Sequence, residues 1–67
     1  MNIIVQHVER RWRVAHPQLP LVQEFERGAE AFDAAVALAR TCHRQDGQPV
    51  AIRVEAFSTQ VEALRIG

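Results

Sequence analysis

The alanine-rich stretch AEAFDAAVALARTCHRQ, residues 29–45, decides the fold of this chain. Alanine has the highest helix propensity, and the apolar residues of the stretch recur at helical spacing. Glu30 lies near its start and Arg44 near its end, an order that complements the helix dipole. Asp46-Gly47 with Pro49 just beyond is typical of a helix end. These features predict a helix from Ala29 to about Gln45 whose apolar stripe contains Phe32, Ala35, Val36, Leu38, Ala39 and Cys42.

Before this helix, short runs rich in β-branched residues indicate strands. Residues 3–8 form one run, and residues 11–16 alternate between apolar and polar side chains. A two-residue loop at Glu9-Arg10 would join them as a hairpin, although such tight turns favour glycine or asparagine, so a longer loop with a shifted register stays open. The two-residue loop predicts four pairs: Val8 with Arg11, His7 with Trp12, Val5 with Val14 and Ile3 with His16.

The segment between this hairpin and the helix contains Pro17 and Pro20, which remove backbone donors and interrupt the alternation. Residues 21–26 alternate again, with Leu21 and Phe25 on one side. We therefore predict a third strand over these residues, at an edge of the sheet, followed by a break at Gly28.

Two more strands are predicted after the helix. In residues 50–57, Val50, Ile52 and Val54 share one side, whereas the intervening residues as far as Phe57 share the other. Residues 58–60 are predicted to form a turn, and residues 61–66 a final alternating strand.

The element order β-β-(β)-α-β-β predicts the α+β class, with one helix packed on one face of an antiparallel sheet of four or five strands. Residues 1–67 are long enough for a single small domain. Such small domains bury little surface and often need a partner subunit. The sheet face away from the helix would carry several apolar side chains. We therefore expect a homodimer, or a complex with another small protein.

Composition narrows the function classes. The net charge is zero, with eight arginines against eight acidic residues and no lysine. There is one cysteine, and no apolar run approaches the length of a membrane span. We expect a soluble, cytoplasmic protein that does not bind a membrane.

The residue types used in catalysis and metal binding do not form a familiar pattern here. His7, His16, His43 and Cys42 lack the spacing of common zinc sites. Cys42 falls on the apolar stripe near the helix end, which favours a buried thiol over a nucleophile. Ser58 has no nucleophile-elbow context. We expect no enzymatic activity, no catalytic residues, no metal and no cofactor.

One stretch suggests nucleic-acid binding, because Arg10, Arg11 and Arg13 surround Trp12. Arginine binds phosphate, and an aromatic ring can stack on a base. In an alternating strand, however, Trp12 points away from Arg11 and Arg13. The zero net charge also removes long-range attraction to phosphate. The three arginines are therefore a secondary hypothesis, for a weak nucleic-acid binder.

Two family resemblances extend these expectations. The stretch Trp12-x-Val14-x-x-Pro17-x-Leu19-Pro20, followed by Gly28 and by Ala31-Phe32-Asp33-Ala34-Ala35, resembles the HicB-type antitoxin domain. That resemblance implies a β-β-β-α-β core, oligomerisation and binding to a small RNA-cleaving toxin. Leu21 stands where that family usually has glycine.

A second group is also similar, an uncharacterised family of short bacterial hairpin–helix–strand proteins. The similarity lies in Phe25, Glu30-Ala31, Ala34-Ala35-x-x-Leu38-Ala39-Arg40, Gly47 and the strand from Val50, and it implies no function. The combined prediction is a non-enzymatic, homodimeric protein-interaction module. An antitoxin-like protein and a weak nucleic-acid binder are the alternatives.

Overall fold

A computed structural model describes residues 1–16 and 22–67 of the chain. The predicted strand residue Leu21 and the two prolines before it lie outside these ranges. The elements, in chain order, are β1 (Asn2–Val8), β2 (Arg11–Ala15), β3 (Gln23–Phe25), α1 (Gly28–Asp46), β4 (Val50–Ala56) and β5 (Thr59–Ile66).

All strands join one five-stranded sheet in the order β3-β2-β1-β4-β5, with α1 against one face. The α+β class is therefore confirmed. The prediction of an antiparallel sheet is wrong at one pair, because β1 and β4 run parallel while the other three pairs are antiparallel.

The length of α1 explains the parallel pair. Its 19 residues span about 28 Å at 1.5 Å per residue, which is the length of a strand of this sheet or slightly more. The helix begins beside Trp12, at the end of the sheet where β3 finishes. It therefore returns the chain to the end where β1 starts, and there the Ala51 N–H donates to the Met1 carbonyl at 2.9 Å.

The predicted hairpin register is confirmed for β1 and β2, from Val8 opposite Arg11 to Ile4 opposite Ala15. The turn itself is tight although it contains no glycine. Glu9 and Arg10 have φ values of 51° and 67°, the left-handed conformation that a type I′ hairpin turn has at both central positions. Sequence preference at the turn is overridden by the apolar pairing of the strands.

The other predicted boundaries shift slightly. Gly28 begins α1 instead of preceding it, and β3 is limited to three residues at a sheet edge. Gly47 ends the helix with φ 71°, and its N–H donates to the His43 carbonyl at 2.7 Å. This left-handed stop was predicted from Asp46-Gly47.

The connection between β4 and β5 is a second correction. The turn consists of Phe57 and Ser58, with φ values of 52° and 62°. It therefore begins one residue before the predicted turn at residues 58–60, and Phe57 is not part of β4.

The prediction of simple alternation in β5 is also wrong. Ile52 lies opposite Leu64 but Arg53 lies opposite Glu62, so Ala63 is an extra residue that forms a bulge.

The core lies between α1 and the sheet face that it covers, here called the helix face. Three alanines of α1, at positions 31, 35 and 39, are fully buried and let the helix lie close to the sheet. The opposing side chains come from three adjacent central strands. The buried aliphatic residues are Ile3, Val5, Val14, Val50 and Ile52.

Candidate protein-interaction surface

The helix packs over the central strands of the sheet and contacts the two border strands, β3 and β5, least. Ala34 and Leu38 line a groove with Val14 and Gln23, so this flank of α1 faces β2 and β3. The opposite flank faces β4 and β5, because the His43 ring lies within 2.7 Å of a Cβ atom built on Gly67, just after β5. Few contacts join α1 to β5 although β5 is eight residues long.

As a result, β5 exposes apolar side chains on the helix face. Val61 pairs with Val54, and Leu64 pairs with buried Ile52, so both point toward the side of the sheet that carries α1. Val61 is nevertheless 58% exposed and Leu64 38% exposed. We call these two side chains, together with the unpaired backbone of β5, the β5 edge surface.

Two charged residues of β5 lie on the opposite sheet face, here called the open face. Glu62 is opposite Arg53 and Arg65 is opposite Ala51, and these two β4 residues share a side because they are two apart. Arg65 Nη2 donates to Glu62 Oε1 at 3.3 Å. The bulge makes this possible, since residues three apart in a regular strand point to opposite faces.

Polar side chains occupy much of the open face. Glu55 accepts hydrogen bonds from Gln6 at 3.4 Å and from Gln60 at 3.0 Å, and Arg53 donates to the Gln60 side chain. The expected apolar residues are present as Ile4 and Val8, but both are partly buried. Of the large exposed apolar side chains, Val61 and Leu64 lie on the helix face and Phe57 lies in the β4–β5 turn.

The three arginines of the nucleic-acid hypothesis do not form one cluster. Arg10 lies in the β1–β2 turn, whereas Arg11 and Arg13 lie on β2 opposite Val8 and Gln6 of the open face. Arg13 is 3.8 Å from Glu24 of β3.

Trp12 lies on the helix face, away from Arg11 and Arg13 as predicted. Its ring stacks on His7 with centroids 4.4 Å apart and an interplanar angle of 9°. Gly28 lies close to the indole, because a Cβ atom built there would be 2.9 Å from it. Phe57 contacts His7 edge-on at 6.2 Å and is otherwise 91% exposed.

The contact between Cys42 and His16 was not predicted from the sequence, because 26 residues separate the two. Cys42 Sγ lies 3.5 Å from His16 Nε2, where the end of α1 passes over β2. His16 is 8% exposed, and Cys42 is only partly buried against the core. Helical spacing placed Cys42 on the inner stripe, but no local pattern indicates which strand residue it meets.

The part of the chain that the structure describes, residues 1–16 and 22–67, contains neither a metal-binding cluster nor a membrane-spanning helix. Within those ranges, no three His, Cys, Asp or Glu side chains come together in a way that could hold a metal ion. Nor does α1 combine the length and apolar character needed to cross a membrane. No protein-family model, curated protein or solved structure matches this chain.

Proposed function

We propose that this chain is a non-enzymatic protein-interaction module that acts as a homodimer through the β5 edge surface. One observation carries the proposal: an eight-residue strand at the border of the sheet leaves Val61 and Leu64 substantially exposed. A long edge strand presents unpaired N–H and C=O groups that can bond to another chain. The neighbouring apolar side chains would also be buried when that chain binds, and this burial contributes favourable free energy.

The small size of the domain supports the same conclusion. A chain of about 60 residues buries only about 60% of its unfolded surface, so its own core contributes little stability. Fully buried positions of α1 are alanines, which bury less apolar area than larger side chains. A second copy on β5 would enlarge the core without further chain length.

The test is the solution mass measured by light scattering over a dilution series. We expect a dimer that dissociates on dilution, and we expect Val61→Glu and Leu64→Glu to give monomers at concentrations where the native chain is dimeric. Val22→Glu is the matched control, because Val22 is 48% exposed beside β3, at the other side of the sheet. A native chain that stays monomeric throughout, or a control that disrupts the dimer equally, would contradict the proposal.

The alternatives remain predictions. The HicB-type resemblance implies a small toxin in place of the second copy, and co-purification with a toxin of defined sequence would support it. Nucleic-acid binding through Arg10, Arg11 and Arg13 predicts an affinity that falls steeply with salt. A salt-insensitive affinity would contradict that hypothesis.

A further inference from the structure

We infer that two copies pair β5 with β5, antiparallel, in one register: Val61 opposite Ile66, Glu62 opposite Arg65 and Ala63 opposite Leu64. This inference rests on the proposed homodimer and specifies its interface. The pairing continues the sheet across a two-fold axis that lies between residues 63 and 64, so each of the three pairs occurs twice. The two short β3 strands become the outer borders of a ten-stranded sheet.

The sequence of β5 is self-complementary in this register. Read in opposite directions, Val-Glu-Ala-Leu-Arg-Ile places apolar residues opposite apolar residues and each acid opposite a base. Cross-strand pairs of opposite charge and of apolar side chains both stabilise a sheet. Four of the six positions are apolar, and the remaining two are the partners of two intermolecular ion pairs.

The bulge at Ala63 is what permits this register. In an antiparallel pair, residues opposite each other point to the same face. Glu62 and Arg65 are three apart and would point to opposite faces in a regular strand, but here both lie on the open face. Val61 and Ile66 are five residues apart and would also point to opposite faces in a regular strand. Here both point to the helix face, because they pair with Val54 and Val50 of β4.

Other registers are disfavoured by charge and polarity. Centring the axis on Glu62 places two carboxylates opposite each other, and centring it on Arg65 places two guanidinium groups opposite each other. Centring it on Ala63 or on Leu64 places Glu62 opposite Leu64 or Ile66. Like charges directly opposite are destabilising, and so is a carboxylate opposite an apolar side chain, so these four alignments are less favourable than the one inferred.

The helix-face contacts in this register join the existing cores. Val61 of each copy meets Ile66 of the other, and Ile66 is a partly buried residue that already packs against the core. Leu64 meets the small Ala63 of the other copy close to the axis, which leaves room for the larger side chain. Each exposed apolar residue of β5 therefore gains an apolar neighbour.

Charge reversal tests the register. Glu62→Arg and Arg65→Glu each place like charges opposite each other twice in a homodimer, and each is expected to weaken dimerisation by about 100-fold. A mixture of the two variants restores opposite charges at all four positions. We expect it to form a heterodimer with about native affinity, and the double variant Glu62→Arg/Arg65→Glu to dimerise like the native chain.

The control is the ion pair on the other side of the sheet. Arg13→Glu and Glu24→Arg reverse charges beside β3, and neither is expected to change the dimer affinity. Thermal unfolding by circular dichroism verifies that each variant is folded. In a Cys42→Ala background, Val61→Cys/Ile66→Cys is expected to form a disulfide-linked dimer on mild oxidation.

The outcomes separate the two proposals. If the native chain dimerises but the mixture of single variants stays monomeric, or the single variants dimerise normally, the register is wrong and the homodimer proposal stands. If the native chain is monomeric at every concentration, both are wrong.

Discussion

The two borders of the sheet differ in length and in cover. β3 has three residues, two of them exposed and polar, and its Glu24 is paired with Arg13. β5 has eight residues, exposes Val61 and Leu64, and carries a bulge. Edge strands in natural proteins are often short and charged, which disfavours pairing with another chain, and β3 follows that pattern more closely than β5.

Width explains why the helix cannot cover both borders of the sheet. Five strands spaced about 4.8 Å apart span about 19 Å, whereas a helix with its side chains is about 10–12 Å wide. One helix cannot cover such a sheet completely. The helix packs over the central strands β1, β2 and β4, and the eight residues of β5 extend beyond it, with Val61 and Leu64 exposed.

The largest loss of stability is expected for a substitution on β4, in the part of the sheet that the helix covers. Ile52 is fully buried on β4, and Ile52→Ala should lower the free energy of unfolding by about 2–4 kcal/mol. Leu64→Ala, at its cross-strand neighbour, should cost the monomer less than half as much because Leu64 is already exposed. Urea unfolding at low protein concentration measures both. Equal losses would mean that β5 is covered as well as β4.

A smaller loss of stability is expected for a substitution at Gly28, where the first residue of α1 packs against Trp12 of β2. Gly28→Ala places a methyl group 2.9 Å from the Trp12 indole, so the indole has to shift from its present position against His7. Overpacking of this kind costs about 1–3 kcal/mol. Ala29→Ser at the next, exposed position is the control, with a change expected within about 0.5 kcal/mol. Thermal unfolding and near-ultraviolet circular dichroism of Trp12 would detect the change, and an unaltered tryptophan signal would contradict it.

Substitutions in the two hairpin turns are expected to stabilise the protein, in contrast to those in the core. Phe57-Ser58 and Glu9-Arg10 adopt positive φ without glycine, at a cost of about 1–2 kcal/mol per residue. Replacing either pair by Asn-Gly should therefore raise the melting temperature. The Phe57 change loses little packing, since the ring is 91% exposed. A lower melting temperature in that variant would show that the His7–Phe57 contact outweighs the backbone strain.

The smallest effect is expected at the β3 border. Both side chains of the Arg13–Glu24 pair are about half exposed, and exposed pairs contribute about 0–1 kcal/mol. Glu24→Gln should change the free energy of unfolding by less than about 0.5 kcal/mol, and 0.5 M salt should remove the difference. A larger loss would mean that β3 depends on its charges more than on the Trp12–Phe25 pairing.

Local patterns predicted the elements well. Helical spacing located α1 within one residue at each end, because helix hydrogen bonds and capping act over a few residues. Alternation identified the β1–β2 register, since a slip of one residue would expose Ile3 and Val5. Of the interaction surface, the sequence predicted apolar residues on the sheet face away from the helix, whereas Val61 and Leu64 are exposed on the helix face. The sequence did place Trp12 on the face opposite to Arg11 and Arg13.

The rest depends on contacts between distant parts of the chain. The parallel pairing of β1 with β4 follows from where α1 delivers the chain, and the contact of Cys42 with His16 follows from how the helix crosses β2. Simple alternation would place Arg65 on the same face as Val61, and the pairing with β4 shows instead that the bulge places it on the face of Glu62. Sequence by itself determined which segments are helix or strand, because those preferences are local. Tertiary structure alone decided which strand the helix leaves uncovered, because cover depends on the position of α1 over the assembled sheet.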